Sequence, residues 1–151
     1  MAVVLADLLD AGRVVLDLTA GSKEEALRTI VARMQIAEAE KFLAEIMARE
    51  EVQTTLVGKG VAFPHARTDL VRNMVLGIGR SADGVPFGKD GEAAQLIFVI
   101  GVPKKMVNSY LVCVGALARL TKNEETRAEL MNATSSAEFV ETLRAGSMLL
   151  E

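Results

Sequence analysis

The chain is poor in the residues that support disulfides and metal sites. It contains one cysteine, one histidine, one tyrosine and no tryptophan in 151 residues. A single cysteine cannot form an internal disulfide, and such low cysteine use is typical of a reducing compartment, so we expect the cytoplasm. One histidine, one cysteine and scattered carboxylates show no metal-ligand spacing. We therefore expect no metal and no cofactor.

Long apolar runs and an excess of positive charge are also lacking. No run reaches the roughly 18 apolar residues that a membrane helix needs, and no basic region precedes the apolar residues at the start of the chain. The formal net charge is -3 and the basic residues are dispersed, which disfavours nucleic-acid binding. We predict a soluble, unprocessed protein with no membrane insertion and no nucleic-acid partner.

Hydrophobic residues, in contrast, make up 50% of the sequence and charged residues 25%. This composition and length predict a single domain over residues 1–151 with a substantial core. Two helix starts are predicted from capping boxes, Ser22 with Glu25 and Ser135 with Glu138. Extended apolar runs at 14–18, 61–63, 74–79 and 95–102 predict strands. The alternation of the two patterns predicts an α/β fold, a β-sheet covered by helices.

The only histidine, His65, directly follows Pro64 and the extended run VAF. Proline fixes its own φ and biases the residue before it toward an extended conformation, so the backbone leading into His65 is stiff. We expect the strand to stop there and to present the imidazole at an open, largely apolar depression. A neutral imidazole is a nucleophile toward phosphorus when its other nitrogen is held as N–H by an acceptor such as a carbonyl.

Phosphoryl transfer requires little more than donors around the phosphoryl oxygens. The nearby candidates are the hydroxyls of Thr54 and Thr55, the N–H groups of the glycine turn at 58–60, and the guanidinium of Arg49. On composition alone, the alternative is that His65 is a surface residue or a core residue whose hydrogen bonds are satisfied. The turn GKG is too short for a phosphate-binding P-loop, and Cys113 lies in an apolar helical pattern that indicates a core position.

The segment TTLVGKGVAFPHAR, residues 54–67, resembles the active-site signature of enzyme IIA domains of the fructose/mannitol class in the bacterial phosphotransferase system, including their nitrogen-regulatory relatives. Gly58 and the run from Val61 to Ala66 match this signature in place. The resemblance implies a sandwich in which helices flank both faces of a mixed β-sheet. It also implies that His65 accepts phosphate from HPr or a nitrogen-branch HPr-like carrier, as a phosphotransferase component with a phosphohistidine intermediate rather than a free-standing enzyme.

The same resemblance implies roles for further residues and partners. Arg49 and Thr54 fall where the family has residues that support the phosphorylated imidazole. Tyr110 stands where many members have a second histidine, and Leu56 where nitrogen-branch relatives often have glycine. Further implied partners are an enzyme IIB, a sensor kinase or a transporter. We predict a nitrogen-regulatory type; the alternatives are a sugar-specific enzyme IIA and a regulatory binding module that is not phosphorylated.

Overall fold

The computed structural model describes residues 3–150 and shows a mixed β-sheet with helices on both faces, which confirms the predicted fold class. The strands are β1 (Val14–Val15), β2 (Leu56–Val57), β3 (Val61–Ala62), β4 (His65–Thr68), β5 (Val75–Pro86) and β6 (Ala93–Pro103). The α-helices are α1 (Lys23–Arg33), α2 (Ala39–Val52), α3 (Val107–Lys122), α4 (Glu124–Asn132) and α5 (Ser136–Met148). Short 3₁₀ helices span Leu5–Leu8, Ala11–Arg13 and Gly58–Gly60.

An antiparallel hairpin of the two longest strands, β5 and β6, forms the centre of the sheet. The strand order is β1-β5-β6-β3-β2, with β1 parallel to β5, β3 parallel to β6, and β2 antiparallel to β3. Strand β4 pairs in parallel with the second half of β6. The sheet is therefore mixed because one hairpin is extended on both sides by parallel strands.

Strand β6 is buried on both faces, and its side chains alternate between two hydrophobic cores. Phe98 and Ile100 belong to the core that contains the apolar faces of α3, α4 and α5. Ile97 and Val99 belong to the core under α1 and α2. A strand covered on both sides has a continuous apolar sequence rather than an alternating one.

Cys113 is 0% exposed in the core under α3, as predicted, and burial raises the pKa of its thiol to about 11.

Two of the predicted extended runs differ in length from the observed strands. The run predicted at 14–18 is a strand only over Val14–Val15, because the chain turns at residues 16–17. The Arg80 side chain holds this turn, since its Nε donates to the Leu16 carbonyl at 3.1 Å. The run predicted at 74–79 continues to Pro86 through a register shift between Arg80 and Val85.

The extended run before His65 stops as predicted, but the prediction missed a further strand that begins at His65 itself. Strand β3 ends at Ala62, and a second strand, β4, begins at His65 in line with it along β6. The ladder is maintained between them, because the Pro64 carbonyl accepts the N–H of Ile100 at 2.9 Å. Because Pro64 has no N–H to donate, the hydrogen-bond ladder is interrupted there, but the chain does not turn away from β6.

Candidate functional site

His65 lies at the first residue of β4, where the sheet loses one of its neighbouring strands. Strand β2 covers the outer edge of β3, whereas among the described residues the only strand paired with β4 is β6. The His65 side chain is only partly buried, between residues of α2 and the first turn of α3. Burial alternates along β4, with Ala66 and Thr68 buried and His65 and Arg67 not, so the imidazole lies on the more open face of the strand although it does not end one.

Two contacts fix the imidazole through its Nδ1 atom. The carbonyl oxygen of Phe63 lies 3.0 Å from Nδ1, and the hydroxyl oxygen of Tyr110 lies 3.2 Å from the same atom. A carbonyl oxygen can only accept a hydrogen bond, so the contact with Phe63 requires an N–H at Nδ1. The Tyr110 oxygen can accept the same hydrogen, and its ring lies against the imidazole with a centroid separation of 4.8 Å. This tautomer leaves the lone pair on Nε2.

The surroundings also favour the neutral form of the imidazole. Burial lowers the pKa of His65, and the positive charge of Arg49 lowers it further, while the Phe63 carbonyl and the negative charge of Glu50 act in the opposite direction. Burial raises the pKa of Tyr110, against a smaller opposing effect of Arg49. At physiological pH the pair therefore consists of a neutral imidazole and a neutral phenol, which suits a nucleophilic Nε2.

An open depression surrounds His65, as the sequence predicts. It is lined by Glu45, Ala48 and Arg49 from α2 and by His65, Ala66 and Arg67 from β4. Apolar atoms make up most of its surface, and three ionisable side chains, two basic and one acidic, supply its charge beside the imidazole. The depression can therefore receive an anionic group next to His65.

Arg49 is brought to this depression by the last turn of α2. Its Nη1 donates to the carbonyl of Gln53, just beyond the helix, at 2.9 Å. This bond gives the Gln53 carbonyl, directly after the C-terminus of α2, a hydrogen-bond donor, and it holds the guanidinium in place. No other hydrogen bond or ion pair of Arg49 occurs within residues 3–150, so the remaining N–H groups are free to donate to an anion.

Thr54 and the glycine turn do not line the depression. The Thr54 hydroxyl accepts the N–H of Leu56 at 3.2 Å, and the residue lines a separate groove that also contains Lys23 and Phe87. Gly58 lines a third groove, on the side of α3. The structure thus brings together His65, Arg49 and Tyr110, and it leaves Thr54 outside this group.

Sequence reasoning missed two charged residues near His65. Arg67 lies two positions after His65 on β4 and lines the same depression, and the period of two along a strand would have indicated that both side chains share a face. Glu50 follows Arg49 and is 5% exposed. Burial of this carboxylate carries no local sequence signal, because its partners come from α1 and from the segment after α2.

A titration of the unique imidazole tests the electrostatic environment described above. Because burial lowers the pKa of His65, the folded protein should titrate with a midpoint below the ordinary value of about 6.5. The imidazole would therefore stay neutral and reactive to a lower pH than an exposed histidine does. The measurement is the pH dependence of the His65 Cε1–H resonance in folded protein, with the same resonance in denaturant as control. A folded-state midpoint at or above the denatured-state value would contradict this environment.

The described residues contain neither a cluster of three potential metal-ligating side chains nor a helix long and apolar enough to cross a membrane.

Comparisons with known proteins identify the family. The family model described as "Phosphoenolpyruvate-dependent sugar phosphotransferase system, EIIA 2" matches residues 7–146. A fructose-specific EIIA component of Haloferax volcanii is 34% identical over 76% of this chain and 75% of its own length. A fructose-specific EIIABC component of Bacillus subtilis is 29% identical over 92% of this chain, which spans only 23% of that larger protein.

The fold comparison agrees. A crystal structure of the nitrogen regulatory protein IIA-Ntr from Neisseria meningitidis superimposes with a TM-score of 0.80 at 26% identity, covering 91% of this chain and 97% of that one. This nitrogen-regulatory structure therefore shares the sheet and helices that position His65. The chain belongs to the EIIA 2 family of the phosphoenolpyruvate-dependent sugar phosphotransferase system.

Proposed function

We propose that His65 accepts a phosphoryl group on Nε2 from the phosphohistidine of an HPr-like carrier. The observation that supports this proposal most strongly is the contact between Nδ1 and the Phe63 carbonyl. The lone pair of Nε2 attacks phosphorus, and the P–N bond to the carrier breaks with its electron pair returning to the carrier imidazole. The Phe63 carbonyl stabilises the N–H of the phosphorylated ring, which carries more positive charge than the free imidazole.

The basic side chains of the depression have a matching role in this proposal. The transferred phosphoryl group is loosely bonded in the transition state, with charge spread over its three equatorial oxygens. Arg49 and Arg67, which line the depression beside His65, are the cationic donors available to those oxygens. Thr54 could support the phosphorylated ring only through a rearrangement of its loop, since its hydroxyl is bonded to Leu56 N–H.

Within this family we favour a nitrogen-regulatory type. Its support is that Tyr110, rather than a second histidine, contacts His65; the fold is shared about equally with the nitrogen-regulatory and the mannitol IIA structures and does not separate the types. A sugar-specific enzyme IIA is the second candidate, supported by the identity to the fructose-specific EIIA component across three quarters of both chains. In either case we propose the cytoplasm as the compartment, and an enzyme IIB, a sensor kinase or a transporter as later partners.

A comparison of the two carriers distinguishes the nitrogen-regulatory type from the sugar-specific type. The chain would be incubated with phosphoenolpyruvate and with the first enzyme and histidine carrier of either the sugar branch or the nitrogen branch. The initial rate of acid-labile phosphate uptake should be higher with the nitrogen-branch carrier. A higher rate with HPr would support the sugar-specific candidate. Uptake from neither carrier would overturn the phosphotransfer proposal and favour a binding module that is not phosphorylated.

Replacement of Tyr110 by histidine should speed donation to an enzyme IIB cysteine several-fold, while acceptance by His65 changes little. The reason is that a phenol adds one hydrogen bond but no positive charge at neutral pH, whereas an imidazolium could stabilise the phosphoryl group as it leaves. The measurement is the chase of labelled phosphate from purified phosphoprotein to enzyme IIB. Asn108→Ala, an exposed change in the same helical turn, is the matched control. Equal donation rates in Tyr110→His and wild type would mean that Tyr110 serves packing alone.

A further inference from the structure

A buried carboxylate lies at the end of the helix that carries Arg49. Glu50 is 5% exposed, and its side chain accepts hydrogen bonds from two residues. Lys23 Nζ lies 3.2 Å from Oε1, the backbone N–H of Thr55 lies 3.2 Å from each carboxylate oxygen, and the Thr55 hydroxyl donates to Oε2. A buried charge is strongly unfavourable unless it is paired in this way. Most of these contacts hold the segment after the helix, not the helix itself.

Thr55 connects this carboxylate to the imidazole through the backbone. The Thr55 carbonyl accepts the N–H of Phe63 at 3.3 Å, and the Phe63 carbonyl in turn contacts Nδ1 of His65 at 3.0 Å. The Phe63 ring is held separately by stacking on Phe98, with centroids 5.7 Å apart. Phe63 is thus restrained at its ring by the core and at its N–H by a residue that Glu50 anchors.

We propose that Glu50 is a positioning residue for His65, which acts through Thr55 and Phe63 to keep the imidazole in the tautomer with hydrogen on Nδ1. The effect on phosphoryl transfer rests on the function proposed above, but the effect on the tautomer does not. The carboxylate fixes Thr55 by three contacts, and Thr55 fixes the peptide plane that carries the Phe63 N–H. Because the Phe63 ring is held on Phe98 at the same time, rotation about the N–Cα bond is limited and the Phe63 carbonyl stays directed at Nδ1.

A simpler role for Glu50 would be the ion pair alone, which joins the first turn of α1 to the last turn of α2 through Lys23. The two roles differ in what they affect. Loss of the ion pair would lower the stability of the whole domain without a specific effect on one imidazole. Loss of the hold on Thr55 would release the Phe63 carbonyl and allow the second tautomer, with hydrogen on Nε2, to be populated.

The test compares Glu50→Gln with Glu51→Gln, a neighbouring exposed glutamate that serves as the matched control. The amide keeps the size of the side chain, but its NH₂ group replaces one acceptor with a donor facing Thr55 or Lys23. The readouts are the ¹⁵N chemical shifts of the unique imidazole in unphosphorylated protein and the initial rate of phosphorylation by the carrier. We expect wild type and Glu51→Gln to show a single Nδ1–H tautomer. We expect Glu50→Gln to show a mixture of tautomers and an initial phosphorylation rate reduced by up to about tenfold.

An unchanged tautomer in folded Glu50→Gln would overturn the positioning role, whatever happens to the rate. The same change in Glu51→Gln would overturn it as well. If Glu50→Gln does not fold, Glu50→Asp, which keeps the charge but draws the carboxylate away from both the N–H and the hydroxyl of Thr55, decides by the same criterion. A changed tautomer in a protein whose wild type accepts no phosphate would confirm the positioning role and overturn the proposed function instead.

Discussion

Replacement of His65 by alanine should abolish uptake of acid-labile phosphate from the carrier. The chain contains one histidine, so no other side chain can form a phosphohistidine. The loss should be complete rather than partial, because the nucleophile itself is removed and not one of its supporting donors. The measurement is incorporation of label from phosphoenolpyruvate through the first enzyme and the carrier, followed by acid treatment.

The control for this variant is its fold. His65 is partly buried and lies at an open sheet edge, so a truncated side chain there should leave the circular dichroism spectrum and the unfolding transition close to those of wild type. Acid-labile phosphate on folded His65→Ala protein would contradict the account. Acid-stable phosphate on wild type would do so too, since it would indicate a hydroxyl acceptor such as Tyr110.

The double replacement of Arg49 and Arg67 by alanine should slow phosphorylation by about a hundredfold or more, a size typical of lost transition-state donors. Each single replacement should have a smaller effect. Both guanidinium groups line the depression beside His65, and removal of both leaves the developing charge of the phosphoryl oxygens without a cationic donor there. The measurement is the initial rate at saturating carrier, which separates loss of transition-state stabilisation from weaker docking.

Arg72→Ala, an exposed arginine after β4, is the control for the loss of overall positive charge. Arg49 also bonds the Gln53 carbonyl at the end of α2, so the stability of each variant must be measured alongside its rate. A double variant that is phosphorylated at the wild-type rate would mean that Arg49 serves the helix end alone.

The sequence predicted the layers of the fold well because burial on both faces leaves a strong signal. The apolar run at 95–102 is an unbroken strand in the structure, part of β6. Ser22 and Ser135 begin α1 and α5 with the expected serine caps, but the predicted boxes are incomplete, because Glu25 and Glu138 accept the N–H of the residue before each serine. Short strands were less predictable. The run at 14–18 ends after two residues because Arg80, more than 60 positions away, bonds the Leu16 carbonyl.

The site was predictable only where one residue carried the information. His65 was found because it is unique, follows Pro64 and lies in the segment that resembles the family's active-site signature. Two further features depend on pairing with β6 and could not be predicted from the sequence. They are the Phe63 carbonyl as the acceptor for His65 and the start of a further strand, β4, at His65. Thr54 was grouped with His65 because the two are close in sequence and because Thr54 falls where the family has a supporting residue; in the structure its hydroxyl accepts the N–H of Leu56. Glu50 falls in the Arg-Glu pair of the family resemblance, but its burial and its partners were not predictable because they are fixed by tertiary structure.

The position of the phosphate on the imidazole tests the central claim most directly. Nδ1 is occupied by the Phe63 carbonyl and the Tyr110 hydroxyl, so the phosphoryl group should be attached to Nε2. Phosphorus coupling to the ring nitrogens in ¹⁵N-labelled phosphoprotein distinguishes the two isomers. A phosphorus–nitrogen bond at Nε2 is the predicted result, and a bond at Nδ1 would contradict the account.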